Sequence, residues 1–498
     1  MLNSTESSAV NSTGAVALDT LFAGATRTGE GEVSATSCVC DWRQVEPGNV
    51  YVALPETADS EDGHQHARRA ASHGAIAIIC EQPVPVFDIP TYLVADSRVA
   101  LGELCHALVG HPTRTVRTIG VAGTHGKSTT IAVLESIFAR ADQHCGTISS
   151  LGSYDGMSHS TGVGPSINAP ALAIRLACME AAGCTHAFVE ISSHTISQAH
   201  LAGIQLEAIC VTNVTSGHLD LHNTVQNYQD TQRRVLDYLS PTGVTVLNAD
   251  DPVNLQWLDS VGGPVLTYGL NGSGEVSARI VQRHANEQLF VLTAGNESAA
   301  VRTTIVGDHH VANCLAAATL ALSNGLDLQT IAAGIEAVEE LPGRMQRVDR
   351  GQGFPVFVDV ADTPEALRAS LRTARQLATG RVICVLGDTA RVPQDEVALA
   401  GVVKCLADLA IAVTPLPEIE EHGDGDRQFS AEVEVVADRA EAIACAVSVA
   451  EPGDVVVIAG SQMPSGWSFV GVPQDAADTE IASQLLEARN DMLIRLAA

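Results

Sequence analysis

The chain has 498 residues, a hydrophobic fraction of 46% and a formal net charge of −30. That length holds about three domains at roughly 150 residues each. The acidity argues against a nucleic-acid partner, which needs clustered Lys and Arg, and no apolar run of 18 residues offers a membrane span.

The 12 cysteines are scattered and form no C-x-x-C pair, which fits a reducing, cytoplasmic setting. Cys38 and Cys40 lie two apart, a poor zinc spacing, in a segment that reads as a strand. An anionic substrate must be met by local cations or backbone N–H groups.

Residues 1–14 are rich in Ser, Thr and Asn and read as a disordered tail without a signal peptide. Residues 15–114 read as a small α/β domain, with strands at 50–54 and 75–79 and a helix over 64–73. His111-Pro112-Thr113 punctuates before the next unit. Residues 115–340 alternate strands and helices, which predicts a mostly parallel sheet covered on both faces. Strands are expected at 118–122, 186–189 and 208–211, helices over 127–141 and 311–322, and a hairpin over 276–305. Residues 341–498 form a third, doubly wound unit after Leu341-Pro342-Gly343, with strands at 355–358, 382–385, 409–413 and 455–458. Leu386-Gly387-Asp388 is no dinucleotide fingerprint. The expected fold class is α/β in three domains, with a phosphate loop in the central one and a Rossmann-like C-terminal one.

Chemistry concentrates first in Gly123-Thr124-His125-Gly126-Lys127-Ser128-Thr129. A strand precedes this run and a helix follows it, the setting of a nucleotide-phosphate loop. In the common G-x-x-x-x-G-K-[ST] pattern the first glycine would fall at Val121, and an extra one sits at Gly123. This form narrows the field to a few ligase-like families. Lys127 would meet terminal phosphates and Ser128 would reach Mg²⁺. Glu190 closes a buried strand, where a carboxylate suits Mg²⁺ or caps the next helix. His218, Asp220 and His222 follow the next strand and suit a metal or phosphate. Arg344, at the second domain boundary, would close onto phosphate or form an interdomain ion pair. Asp359 ends a strand and would cap the next helix or face the nucleotide.

Together these segments resemble the Mur ligase family, ATP-dependent enzymes that extend the peptide of peptidoglycan precursors. Within it the chain is most similar to the type that adds the third residue to UDP-N-acetylmuramoyl-L-alanyl-D-glutamate. The resemblance runs from residue 15 on. Asp41-Trp42-Arg43-Gln44-Val45-Glu46-Pro47-Gly48, the run from Val50 to Pro55 and Asp62-Gly63-His64 carry it in the first domain. The phosphate loop, Glu190-Ile191-Ser192-Ser193-His194, Thr212-Asn213, His218, Asn248-Ala249-Asp250-Asp251, Asn313, Arg344 and Asp359 carry it in the rest. The resemblance implies ATP and Mg²⁺ as cofactors, with a UDP-linked muramoyl peptide and an amino acid as partners. It implies that Ser128 and Glu190 hold one ion, that His218 holds a second, and that Lys127 and Arg344 meet phosphates. Asn313 and Asp359 would contact ATP, and Arg43, Ser192, Gln198 and His200 would lie toward the acceptor. A monomer is expected.

The departures cluster at substrate chemistry. The lysine whose carbamate supports the second metal in this family is Gln232, and the usual acid before His218 is Gly217. A Thr-Thr-Pro-Asp run reads Ile167-Asn168-Ala169-Pro170, and an expected Arg is His200. In the third domain, Asp-Tyr-Ala-His-Thr-Pro reads Asp359-Val360-Ala361-Asp362-Thr363-Pro364, and an arginine-rich loop reads Gly387-Asp388-Thr389-Ala390-Arg391. Asp-Asn-Pro-Arg becomes Pro415-Leu416-Pro417-Glu418, a charge reversal at Glu418, and Gly-Lys-Gly-His-Glu becomes Gly460-Ser461-Gln462-Met463-Pro464. Three functions compete: a divergent Mur-type amide ligase, a nucleotide-binding relative without turnover, and another ligase such as a folylpolyglutamate type. The UDP-domain run speaks against the third, and the intact ATP residues favour the first.

Overall fold

The structure is a computed structural model that describes residues 10–57, 60–160, 167–217, 219–270, 272, 274–387, 393–417, 431–460 and 478–497. Three sheets follow one another along the chain.

The first contains β1 (Val10–Ala17), β2 (Thr26–Thr28), β3 (Ser34–Val39), β4 (Val50–Val52), β5 (Ala77–Cys80) and β6 (Thr91–Leu93), in the order β1-β3-β4-β5-β6-β2. β3 to β6 run parallel, and the two edges run antiparallel. β1 starts inside the segment expected to be a tail, because Val10 pairs with Cys38 through the backbone whatever its polar neighbours. The helix expected over 64–73 splits into a 3₁₀ turn, Gly63–His66, and a short α-helix, Ala67–Ser72. Asp62 caps the turn by accepting from His64 N. Helix Ser97–Leu108, capped by Asp96, closes one face of this sheet with Leu101, Leu104 and Leu108.

The central sheet adds β7 (Arg117–Ala122), β8 (Cys145–Ser149), β9 (Gly152–Tyr154), β10 (His159–Ser160), β11 (His186–Glu190) and β12 (Leu206–Val211). It continues with β13 (Leu239–Asn248), β14 (Val265–Gly269), β15 (Val276–Arg283), β16 (Gln288–Ala294) and β17 (Glu297–Thr303). The order is β10-β9-β8-β11-β7-β12-β13-β14-β15-β16-β17. From β8 to β15 the strands are parallel. The hairpin expected over 276–305 is a three-stranded antiparallel meander, because the chain turns again at Gly295, where φ is 58°.

Parallel order puts the C-terminal ends of β7, β11 and β12 side by side, and ligands of such sheets bind there. Helix Lys127–Arg140 leaves β7 and buries Ile131, Leu134 and Phe138 against Phe188 and helix Asp308–Ser323. Helix Leu328–Glu336 presses on the same helix through Gly334: a Cβ there would lie 2.4 Å from Ile137 Cα. Ser136 Oγ donates to Gly334 O at 2.7 Å across that contact.

The third sheet has β18 (Gln346–Val348), β19 (Val356–Asp359), β20 (Val382–Leu386), β21 (Leu409–Ala412), β22 (Glu432–Val435) and β23 (Val455–Ala459), ordered β18-β19-β23-β20-β21-β22. All pairs are parallel except β18–β19. The sequence reading finds the four buried strands and misses both edges. β18 is three residues long and β22 is exposed at every residue, so neither carries an apolar signal.

The first unit docks on the central one at a glycine contact. A Cβ on Gly102 would lie 2.5 Å from Ala202 O. Arg98 Nε donates to Gln198 Oε1 at 3.0 Å beside it. No helix among the described residues is long and apolar enough to cross a membrane.

Gly334→Ala should cost about 1–3 kcal/mol, because the methyl has no room against Ile137 backbone. Urea unfolding measures it, and an unchanged midpoint would show that the helix pair yields freely.

Candidate functional site

The phosphate loop is clasped by β12's extension. Thr212 Oγ1 donates to His125 O at 2.6 Å, and Asn213 Nδ2 donates to the same oxygen at 3.0 Å. His125 N donates back to Asn213 Oδ1 at 3.0 Å, and Thr124 N to Asn213 O at 2.8 Å. Gly123 and Gly126 have φ of 123° and 85°, which side chains rarely adopt. Neither has room for one: a Cβ on Gly123 would lie 2.3 Å from Thr212 Oγ1, and one on Gly126 2.2 Å from Asn313 Oδ1. Asn313 thereby sits against the loop from a separate helix.

Lys127 begins the helix and folds back on the loop. Its Nζ donates to Gly123 O and Thr124 O at 2.9 Å each. Burial lowers its pKa, Glu190 works against that shift, Arg344 adds to it, and Asp362 opposes it. Glu190, Arg344 and Asp362 therefore all reach Lys127 electrically, although Arg344 and Asp362 belong to the C-terminal unit. Among the described residues the Arg344 side chain has no hydrogen-bonding partner.

Glu190 ends β11 and is buried. Its Oε2 accepts from Ser128 Oγ at 2.9 Å and from Ser150 N at 2.8 Å. Ser150 Oγ is 2.7 Å from Ser128 Oγ. Ser128 and Glu190 thus come together as a hard-oxygen pair beside the lysine. Ser150 joins them unforeseen, since it sits in the turn between β8 and β9 and no motif marks it. The cap of the following helix, Ser193–Ser197, is Ser192, which accepts from Thr195 N at 3.1 Å, so Glu190 is free of that duty.

Thr124 turns its hydroxyl away from the loop mouth, to Tyr228 OH at 2.8 Å. Gln232 Nε2 donates to the same phenol at 2.9 Å, and Gln232 Oε1 is buried without a partner among the described residues. Gly217 lies against this group: a Cβ would come 2.9 Å from Thr124 Cγ2. An acid at 217 would have to displace Thr124, so Gly217 and the Thr124–Tyr228–Gln232 chain belong together. Thr129 is buried in the first turn of the Lys127 helix.

Asp359 does not cap the next helix; Thr363 does, accepting from Ala366 N. Asp359 instead accepts from Met345 N at 3.1 Å, Ala361 N at 3.0 Å and Ser370 Oγ at 3.1 Å. Those bonds tie the Leu341–Met345 linker, and with it Arg344, to β19. The seam has two further links: Ser216 Oγ donates to Glu365 Oε1 at 2.8 Å, and His125 Nε2 lies 3.4 Å from Thr363 Oγ1.

Arg43 is placed locally, 3.4 Å from Asp41 and stacked 5.2 Å over Trp42. Gln198 is spent on Arg98. His200 packs edge-on to His194, with 5.8 Å between ring centres. Burial lowers its pKa to about 4, with His194 adding to the effect. A neutral imidazole therefore stands where the family resemblance expects a permanent cation. His218, Glu418, the run 388–391 and Ser461–Pro464 lie outside the described residues.

Comparison with known proteins agrees with this geometry. The Mur ligase middle domain matches residues 121–321, and the Mur ligase glutamate ligase domain matches residues 343–462. The chain belongs to the Mur ligase family. It is 35% identical over 434 residues to the UDP-N-acetylmuramoyl-L-alanyl-D-glutamate–2,6-diaminopimelate ligase of Geobacillus kaustophilus, covering 84% of this chain and 88% of that one. It is 34% identical over 459 residues to the UDP-N-acetylmuramyl-tripeptide synthetase of a Roseiflexus species, covering 85% and 88%. Among solved structures, a diaminopimelate ligase of the same name superposes with a TM-score of 0.69 at 24% identity, covering 96% of this chain and 99% of that one. The Thermotoga maritima MurF ligase in complex with ADP gives 0.63 at 17% identity, covering 92% and 98%. These last two show the Mur ligase fold.

Two predictions follow from this geometry. Gly126→Ala should weaken ATP binding about tenfold to a hundredfold, the equivalent of about 1–3 kcal/mol of backbone strain. Calorimetric titration with ATP reads it, and wild-type affinity would mean that the loop does not hold nucleotide. The second concerns buried histidines. Burial lowers His200 and His186 to about 4 and His106 to about 3. Unfolded, each ring takes a proton near 6.5, so the native state is fully favoured above 6.5 and loses stability as the pH falls toward 4. His106 alone should contribute at most about 1.4 kcal/mol per pH unit in that window. Urea unfolding of wild type and His106→Leu at pH 7 and 5 checks this; equal losses in both would rule His106 out.

Proposed function

We propose that the chain is an ATP-dependent amide ligase adding an amino acid to UDP-N-acetylmuramoyl-L-alanyl-D-glutamate. The observation that carries this is the Ser128–Glu190 pair beside Lys127 in the central unit, with Arg344 of the C-terminal one within electrostatic reach of that lysine. Such a set neutralises phosphate charge from both sides, which is most of what phosphoryl transfer asks of a protein. The relatives named above are ligases, so the reading without turnover is not favoured. Likeness to folylpolyglutamate synthases is narrower: that of Mycobacterium tuberculosis covers 73% of this chain.

In the reaction an acceptor carboxylate oxygen attacks the γ-phosphorus and ADP departs. The amine nitrogen then attacks the acyl carbon, phosphate leaves, and the nitrogen gives up its proton. Lys127 has to leave Gly123 O and Thr124 O to meet phosphate oxygens. Arg344 approaches from the seam with its guanidinium uncommitted. Asn313 packs its amide against Gly126 and would contact ATP in this reading.

Ser128 and Glu190 suit Mg²⁺, which takes one or two carboxylates plus phosphate oxygens. The ion would supply charge neutralisation of the β- and γ-phosphates. Where the family resemblance expects a carbamylated lysine, Gln232 offers a neutral oxygen with no partner among the described residues. The chain acts as a monomer in this reading.

The test is ADP release by the purified chain with ATP, Mg²⁺ and the UDP-muramoyl dipeptide, scanning diaminopimelate, lysine and other amino acids. Release should require both acceptor and amine, and Glu190→Gln should lower it about 10²–10³-fold, as for loss of one positioned electrostatic group. ATP binding without acceptor-dependent release would sink the proposal.

A further inference from the structure

Helix Asp308–Ser323 opens with two adjacent histidines whose rings are 4.1 Å apart between centres. His310 is 3% exposed, and among the described residues neither of its ring nitrogens has a partner. Buried polar atoms are nearly always satisfied, so a buried ring with two unsatisfied nitrogens needs an explanation. Asp359 supplies one. One ligand atom each from His309, His310 and Asp359 lies within 4.8 Å of the other two.

We propose that His309, His310 and Asp359 form a site for a divalent transition-metal ion across the seam between the central and C-terminal units. Two imidazoles and one carboxylate suit Zn²⁺ or Co²⁺, while Mg²⁺ prefers oxygen ligands only. The surroundings are built for it. A Cβ on Gly307 would lie 2.6 Å from His309 Cε1, so the glycine makes room for that ring. The Asp359 carboxylate is fixed by Met345 N, Ala361 N and Ser370 Oγ, the outer-shell support that orients metal ligands. Burial holds both imidazoles in the neutral form that ligates.

The charges facing the site are Asp308, Asp359 and Arg344. Asp308 is paired with Arg283 at 2.8 Å. Arg344 opposes a cation, and Asp359 offsets it. The site shares no ligand with the Ser128–Glu190 pair. An ion there would bind the central helix to β19 and hold the loop that carries Arg344. Binding would therefore couple to nucleotide affinity through Arg344.

The test uses the full-length, untagged, chelator-treated chain with excess Mg²⁺ present and no ATP. Titration with Co²⁺ should give one tightly bound ion per chain with a visible absorption band, displaced by Zn²⁺. Zn²⁺ should raise the melting temperature. His310→Asn and Asp359→Asn should each weaken Co²⁺ at least tenfold, and Glu190→Gln should leave it unchanged. If His310→Asn fails to fold by circular dichroism, the half-buried His309→Ala carries the same expectation. No Co²⁺ retained over Mg²⁺, or retention unaltered in His309→Ala and Asp359→Asn, overturns the proposal.

Discussion

The central site depends on the clasp between the phosphate loop and the end of β12. Thr212 and Asn213 accept from and donate to the backbone of 124–125, and the two glycines exist because those atoms, with Asn313, leave no space for a Cβ. A loop so held fixes the start of a 14-residue helix, whose N-terminal end favours an anion. The parallel order β11-β7-β12 places Glu190 on one side of that loop and Asn213 on the other. Chemistry at the site is therefore a property of sheet order, with few side chains left to chance.

The second constraint is the seam. The Leu341–Met345 linker is tied to β19 by Asp359, and Ser216–Glu365 and His125–Thr363 reach across it. That linkage holds Arg344 within electrostatic reach of the lysine, and among the described residues its side chain has no hydrogen-bonding partner. A ligase of this kind needs ATP closed off from water while the acyl phosphate waits for its amine.

Much of this was legible in the sequence, for physical reasons. Buried parallel strands are continuous apolar runs, so β7, β11, β12, β19, β20 and β23 announce themselves. Gly123, Gly126, Lys127 and Ser128 stand at a strand–helix junction whose chemistry is local. What was hidden is what depends on partners far along the chain. Ser150 matters only because β8 ends beside Glu190. Asp359 is drawn off to Met345 by a fold that no local pattern reveals. The edge strands β18 and β22 are held by backbone pairing alone. The His309–His310 pair, just ahead of the helix expected over 311–322, carries no signal until Asp359 is brought beside it.

The departures from the family pattern also change meaning in three dimensions. Gln232 belongs to a bonded chain through Tyr228 to Thr124, and Gly217 packs on that chain. A neutral His200 stands where a permanent cation would be expected. The residues that the family resemblance assigns to nucleotide keep their charges while those it assigns to the acceptor have lost some, so the decisive question is whether a carboxylate is activated through phosphate. The direct measurement is oxygen transfer: acceptor labelled with ¹⁸O in its reacting carboxylate, ATP, Mg²⁺ and an accepted amine, followed by mass analysis of the phosphate released. The acyl-phosphate route predicts one labelled oxygen in each phosphate formed with product. Unlabelled phosphate would contradict it.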